Sequence, residues 1–140
     1  MGTVVTDEFR NAQLGAPTHS VLDLNTDDID VSLLDQTDSG TVDAQTVDYD
    51  EVDGATVVAE ADVGTPTIGS VAVGVFDAAD TTFTSVSGDA ADYLVLWKNS
   101  GTPATSPVAV VWDSATTGLP VTPNGGDITV AWNASGILQI

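Results

Sequence analysis

The chain has no cysteine, one histidine (His19) and only two basic residues, Arg10 and Lys98, in 140 residues. Without thiols there is neither a disulfide framework nor a thiolate metal site. His19 lies in a Pro-Thr-His-Ser stretch directly before Ser20. A hydroxyl nucleophile needs an imidazole facing it across space and a third group that orients the ring. Neighbours in sequence rarely achieve that, and no second histidine can take the part, so His19 reads as a surface loop residue. Neither G-x-x-x-x-G-K nor G-x-G-x-x-G occurs, so no phosphate-cradling loop is encoded. No window approaches the roughly 18 consecutive apolar residues of a membrane-spanning helix. Residues Met1–Gln13 contain no apolar run and carry Asp7 and Glu8, unlike a signal peptide. These absences predict a protein that is not an enzyme, holds no cofactor and has no nucleic-acid or membrane partner.

What the chain does have is acid. Twenty-one carboxylates, 18 of them Asp, give a formal net charge of −19. Such a surface repels phosphate backbones and anionic lipid. Its bland meaning is solubility. Its sharper meaning is a high-salt habitat, because at molar ionic strength the Debye length shrinks to about 3 Å and dense acids become tolerable. The abundance of Ala, Val and Thr with almost no Lys points the same way, to a halophilic host.

A chain of this length fits one domain, residues 1–140, and can bury roughly two-thirds of the surface its unfolded form exposes. Its 42% hydrophobic content can furnish the core. Thr6 followed by Asp7 and Glu8 predicts a short helix with Thr6 as N-cap, ended by Gly15 and Pro17. Period-two alternation then predicts strands at Val21–Leu24, Ile29–Leu33, Thr41–Val47, Thr56–Ala61, Ile68–Phe76 and Ile137–Ile140, the last as an edge strand. Tyr93–Trp97 and Val108–Trp112 are continuously apolar, which predicts strands covered on both faces. Between them, Asn99-Ser-Gly101 and two prolines make a loop. About nine short strands with turns every 8–12 residues predict an all-β domain, an antiparallel β-sandwich or jelly-roll-like fold with one short N-terminal helix. Its core should include Leu94, Leu96, Val110, Ile128 and Val130, with Trp112 or Trp132 beside them.

Two groups of residues invite a functional reading. Asp48, Asp50, Glu51 and Asp53 crowd a stretch that ends in Gly54, and Ca²⁺ favours such oxygen-rich loops. The EF-hand pattern fails there, since its fifth position is Val52 and its twelfth is Ala59, so a solvated acidic loop is the competing reading. Asp27-Asp28-Ile29-Asp30 is a second acidic cluster. Trp97, Trp112 and Trp132 either pack the core or anchor a subunit contact. Trp97, Trp112, Ile137, Leu138 and Ile140 are the candidate interface residues.

The most informative stretch is Gly118–Trp132. Leu119 and Val121 alternate on one arm and Ile128, Val130 and Trp132 on the other, around Pro123-Asn124-Gly125-Gly126, which predicts a strand pair about a tight turn. With Val75-Phe-Asp-Ala-Ala-Asp-Thr-Thr-Phe83, Gly88-Asp89 and Leu24-Asn-Thr-Asp-Asp-Ile29-Asp-Val31-Ser-Leu-Leu-Asp35, this stretch resembles small virion structural proteins of tailed phages and archaeal tailed viruses, of the head decoration or cement kind. The likeness is strongest from Val71 to Trp132. It departs at Asp30, where such proteins often carry lysine.

The resemblance implies a capsid decoration protein on the outer surface of an assembled head, made in the host cytoplasm. Its partners would be the major capsid protein and copies of itself, as a trimer. It implies no ligand and no catalytic residue. The alternatives are a tail, baseplate or fibre-base component, or a Ca²⁺-dependent adhesion or carbohydrate-binding module.

Overall fold

The computed structural model describes residues 3–15, 22–35, 48–52 and 57–139. Along the chain they form Thr3–Val5 (β1), Asp7–Gln13 (α1), Ile29–Leu34 (β2), Val57–Asp62 (β3), Thr67–Ile68 (β4), Val75–Asp77 (β5), Thr81–Phe83 (β6), Tyr93–Lys98 (β7), Val108–Trp112 (β8), Ile128–Val130 (β9) and Leu138–Gln139 (β10). The frame is a five-stranded antiparallel sheet in the order β1-β8-β7-β2-β3. A three-stranded sheet, β10-β5-β4, and the pair β6-β9 make the facing layer together with α1. The expected all-β, sandwich-like fold with one short N-terminal helix is what forms.

The two continuously apolar runs are the inner strands β7 and β8, and both faces of the sheet are covered. On one face Ile29, Val31, Leu33, Leu94, Leu96, Val110 and Trp112 pack with Phe9, Phe76, Phe83 and Leu138 of the opposing layer. On the other face Leu34, Tyr93, Val95, Trp97, Val108 and Val111 pack with Tyr49 and Val52, from a segment containing a 3-10 turn. A bulge lets β8 serve both: Leu96 lies opposite Val110 but Trp97 opposite Val108, which leaves Ala109 unmatched.

That bulge is where the helix is tied down. Thr6 is fully buried, its Oγ1 accepts the Phe9 N–H at 3.2 Å as an N-cap, and its hydroxyl donates to the Val108 carbonyl. Its own N–H donates to the Ala109 carbonyl at 2.9 Å. One residue thus caps α1 and fastens it to the inner strand β8. Leu14 follows as C-cap and Gly15 takes a positive φ of +80°.

Several expectations are corrected. Val21–Leu24 is not a strand over its described part: Leu22 and Leu24 are buried, but Asp23 starts a turn. Its carboxylate accepts the Asn25 N–H at 2.9 Å, and this local bond displaces ladder pairing. Ile68–Phe76 is two short strands of a hairpin, because Gly69 and Gly74 both take positive φ, +73° and +76°. The arms of Gly118–Trp132 do not pair with each other. The reversal exists, with Gly125 at φ +86°, but Val121 bridges Ala91 while β9 pairs with β6.

Leu94, Leu96 and Val110 are buried as expected, whereas Ile128 and Val130 are half-buried against the core. Leu138 lies on an edge strand, as expected for Ile137–Ile140. Thr41–Val47, His19 and Ile140 lie outside the described residues.

Candidate functional site

Of the four acids of the Ca²⁺ loop read from the sequence, two side chains, Asp48 and Asp50, lie among the described residues. Asp48 is buried and bridges Pro107, Tyr49 and Val52 fill the second core, and Asp50 is exposed. Asp53 and the Glu51 side chain lie outside the described residues.

Carboxylates do converge elsewhere. Antiparallel register sets Asp30 of β2 opposite Asp62 of β3, and Asp28 precedes β2. One oxygen from each of these three lies within 4.8 Å of the others. Asp30 is buried, and Asn99 Nδ2 donates to its Oδ2 at 2.9 Å. Burial raises the Asp30 pKa above its ordinary 3.8, the charges of Asp28, Asp62 and Glu60 push it the same way, and the Asn99 bond opposes them. Beside the trio, Lys98 Nζ lies 3.1 Å from Asp27 Oδ2. Three carboxylates at this spacing are oxygen ligands a hard cation takes, although Ca²⁺ requires six to eight in all. The sequence pointed to Asp28 and Asp30. Asp62 was not legible, since only strand register brings it in.

The tryptophans point inward. Trp97 is buried, with its ring stacked on Tyr49 at 3.7 Å between centroids. Trp112 is buried and Trp132 leans on it, centroids 5.7 Å apart and planes 43° from parallel. They border a groove of about 520 Å³ whose apolar wall includes Leu119, Val121 and Ile128. Leu138 is buried against the first core, and Ile137 is half-buried with its N–H given to the Phe76 carbonyl at 2.8 Å. Trp97, Trp112 and Leu138 are thus interior residues of the monomer, because each completes one of the two cores.

Exposed apolar surface collects instead around α1 and the β4–β5 hairpin. Leu14, Ile68, Val71 and Val73 are the exposed large hydrophobic residues among those described. Two shallow grooves run between Leu14 and Ile68. One, of about 460 Å³, is lined by Val5, Phe9, Leu14 and Leu138. The other, of about 490 Å³, is lined by Phe9, Leu22, Leu24, Ile68 and Phe76. Phe9, Gln13 and Leu138 border both grooves, so the surface is continuous. Its sequence signal was the pair of glycines that bracket Ser70–Val73, which turn an apparent strand into an exposed loop. No family profile matches the chain, and no curated protein matches it.

Proposed function

We propose that this chain is a structural protein of a tailed-virus particle, a decoration or cement protein seated on the outer surface of the assembled head. The observation that carries the reading is the uneven surface: in a domain of net charge −19, the exposed large apolar side chains among the described residues gather at one hairpin, whose turn 69–74 is uncharged, and at the adjoining helix end. Acid over most of the surface keeps particles dispersed, and an apolar end gives a place to adhere. The resemblance of Leu24–Asp35, Val75–Phe83 and Gly118–Trp132 to small virion proteins supports the same reading.

Such a protein acts by occupying surface. Docked as a trimer, each copy raises the effective concentration of its neighbours' contacts, so that an assembled lattice is bound and a free major capsid subunit is not. The test is to strip particles of this chain, add it back and count rebound copies. Hundreds per head support the proposal. About six per particle, located on the tail, would transfer the chain to a tail or baseplate role.

A second reading, a Ca²⁺-dependent adhesion module, is favoured by the Asp28, Asp30 and Asp62 carboxylates alone. Glycan binding that a chelator abolishes would select it.

A further inference from the structure

The β4–β5 hairpin is built to be stiff and apolar at once. Thr67 and Ile68 pair with Asp77 and Phe76, and the chain then turns through residues 69–74. The Gly69 N–H donates to the Val75 carbonyl at 2.9 Å, and the Val75 N–H to the Ala72 carbonyl at 3.1 Å. Thr67 Oγ1 and Ser70 Oγ lie 2.8 Å apart, which closes the loop from the side. Gly69 and Gly74 supply the two positive φ angles. On this frame Val73 is 92% exposed, Val71 45% and Ile68 48%. Leu14, 85% exposed, extends the same surface across the grooves beside α1. No charged residue occurs from Val63 to Phe76.

We infer that the hairpin tip, residues 69–74, is a docking element that inserts into an apolar recess rimmed by lysine or arginine on a different protein. Charge selects that occupant. The surface around the tip includes the acids Asp23 and Asp77, and the nearby cation Arg10 is already 3.0 Å from Asp7. A second copy meeting this surface with the same surface would set Asp23 and Asp77 against the same two acids. Anionic lipid would also oppose them with negative charge. A recess with a basic rim removes apolar side chains from water and meets the flanking acids with opposite charge. A loop already fixed by its own hydrogen bonds loses little freedom on docking. The capsid as the source of this recess rests on the function proposed above; the chemistry of the recess does not.

The experiment compares three proteins: the natural chain, Val71→Asp/Val73→Asp, and Ser87→Asp/Ser114→Asp, which adds the same charge at exposed positions outside the hairpin and its grooves. Far-UV circular dichroism and melting confirm that all three fold. Each is titrated on an immobilised leucine–lysine peptide, a lysine-only peptide, phosphatidylcholine vesicles and stripped capsids, and sedimentation reports self-association. The expected result is binding to the leucine–lysine peptide weakened at least tenfold by the hairpin substitutions and left unchanged by the control pair. The lysine-only peptide should not separate the three. Equal binding of the hairpin variant and the natural chain to the leucine–lysine peptide would overturn the inference. So would hairpin-dependent vesicle binding or self-association, which would assign the tip to lipid or to a second copy. Failure of the natural chain to rebind capsids, with the peptide result intact, would remove the decoration role and leave the docking element standing.

Discussion

The ring of Tyr49 lies flat on the indole of Trp97, 3.7 Å between centroids and 4° from parallel, and both side chains reach Ser32 Oγ. Trp97 Nε1 donates to that oxygen at 2.9 Å, and the Tyr49 hydroxyl lies 2.8 Å from it and 2.9 Å from Glu60 Oε1. Ser32 Oγ therefore accepts from the Trp97 indole, and the single proton of the Tyr49 hydroxyl has two acceptors within reach, Ser32 Oγ and Glu60 Oε1. The second core thus holds a buried Trp97–Ser32–Tyr49 contact among Leu34, Val95, Val108 and Val111, which reaches the exposed Glu60 at its edge.

Removing the shared oxygen tests this arrangement. Ser32→Ala leaves the buried Trp97 N–H without its acceptor and should cost about 1–3 kcal/mol. Tyr49→Phe, which keeps the stack and the indole–Ser32 bond, should cost less. Urea unfolding of the two variants checks the order, and equal losses would contradict it.

Leu96 has no solvent exposure and lies in the middle of β7, an inner strand. Leu96→Ala should destabilise the chain by about 2–5 kcal/mol, the range for a buried leucine cavity. Denaturant titration is the measurement, and a change within its error would remove β7 from the centre of the fold.

Thr6→Ala removes both the N-cap and the hydroxyl bond to the bulge at Val108. Losing a cap alone costs about 0.5–2 kcal/mol. Thr6→Ser, which keeps the oxygen, should recover most of that stability. Hydrogen exchange in α1 should accelerate in the alanine variant and not in the serine one.

Acid should act on Asp30 in a definite direction. Its folded-state pKa is raised above 3.8 by burial, so the folded chain binds that proton more tightly than the unfolded chain. Its contribution to stability is therefore greatest at low pH and is lost as pH rises through the raised folded value. Asp23 works the opposite way: the Asn25 N–H lowers its pKa, and its contribution fades as pH falls through the lowered value. Asp30→Asn keeps an oxygen for Asn99 and carries no charge. We expect it to raise the melting temperature at neutral pH, with the gain shrinking as the solution is acidified. A gain independent of pH would contradict the burial argument.

Salt should stabilise the isolated protein. Repulsion among charges that sum to −19 opposes compaction in dilute buffer and is screened at molar NaCl, where the Debye length is about 3 Å. The melting temperature should climb with NaCl. A flat response would remove the high-salt reading, and a rise with millimolar CaCl₂ at matched ionic strength would point to the Asp28, Asp30 and Asp62 carboxylates.

Legibility in the sequence followed the range of the interaction. The Thr6 cap is a bond between residues three apart, and it was readable. So were β7 and β8, because two-sided burial demands an unbroken apolar run. Long-range partners were not. Alternation in Leu119–Trp132 marks which residues face inward, but not that β9 pairs with β6 while Val121 meets Ala91. Tyr49 sits in a run of acids, and nothing local reveals that its ring lands on Trp97. Val21–Leu24 alternates like a strand, yet one Asx bond at Asp23 outcompeted a ladder. The candidate docking surface was obscured for a related reason: Ile68–Phe76 alternates like one strand, whereas the positive φ angles of Gly69 and Gly74 break it into a turn between two.

The three tryptophans also make the protein its own fluorescence probe. Trp97 emits from within the Tyr49 side of the central sheet, while Trp112 and Trp132 emit from the opposite side. A variant carrying only Trp97 and another lacking only Trp97 would each report one side. Superimposed emission curves on heating would mean that the sheet loses both coverings in one event. Curves that separate would show which covering peels first.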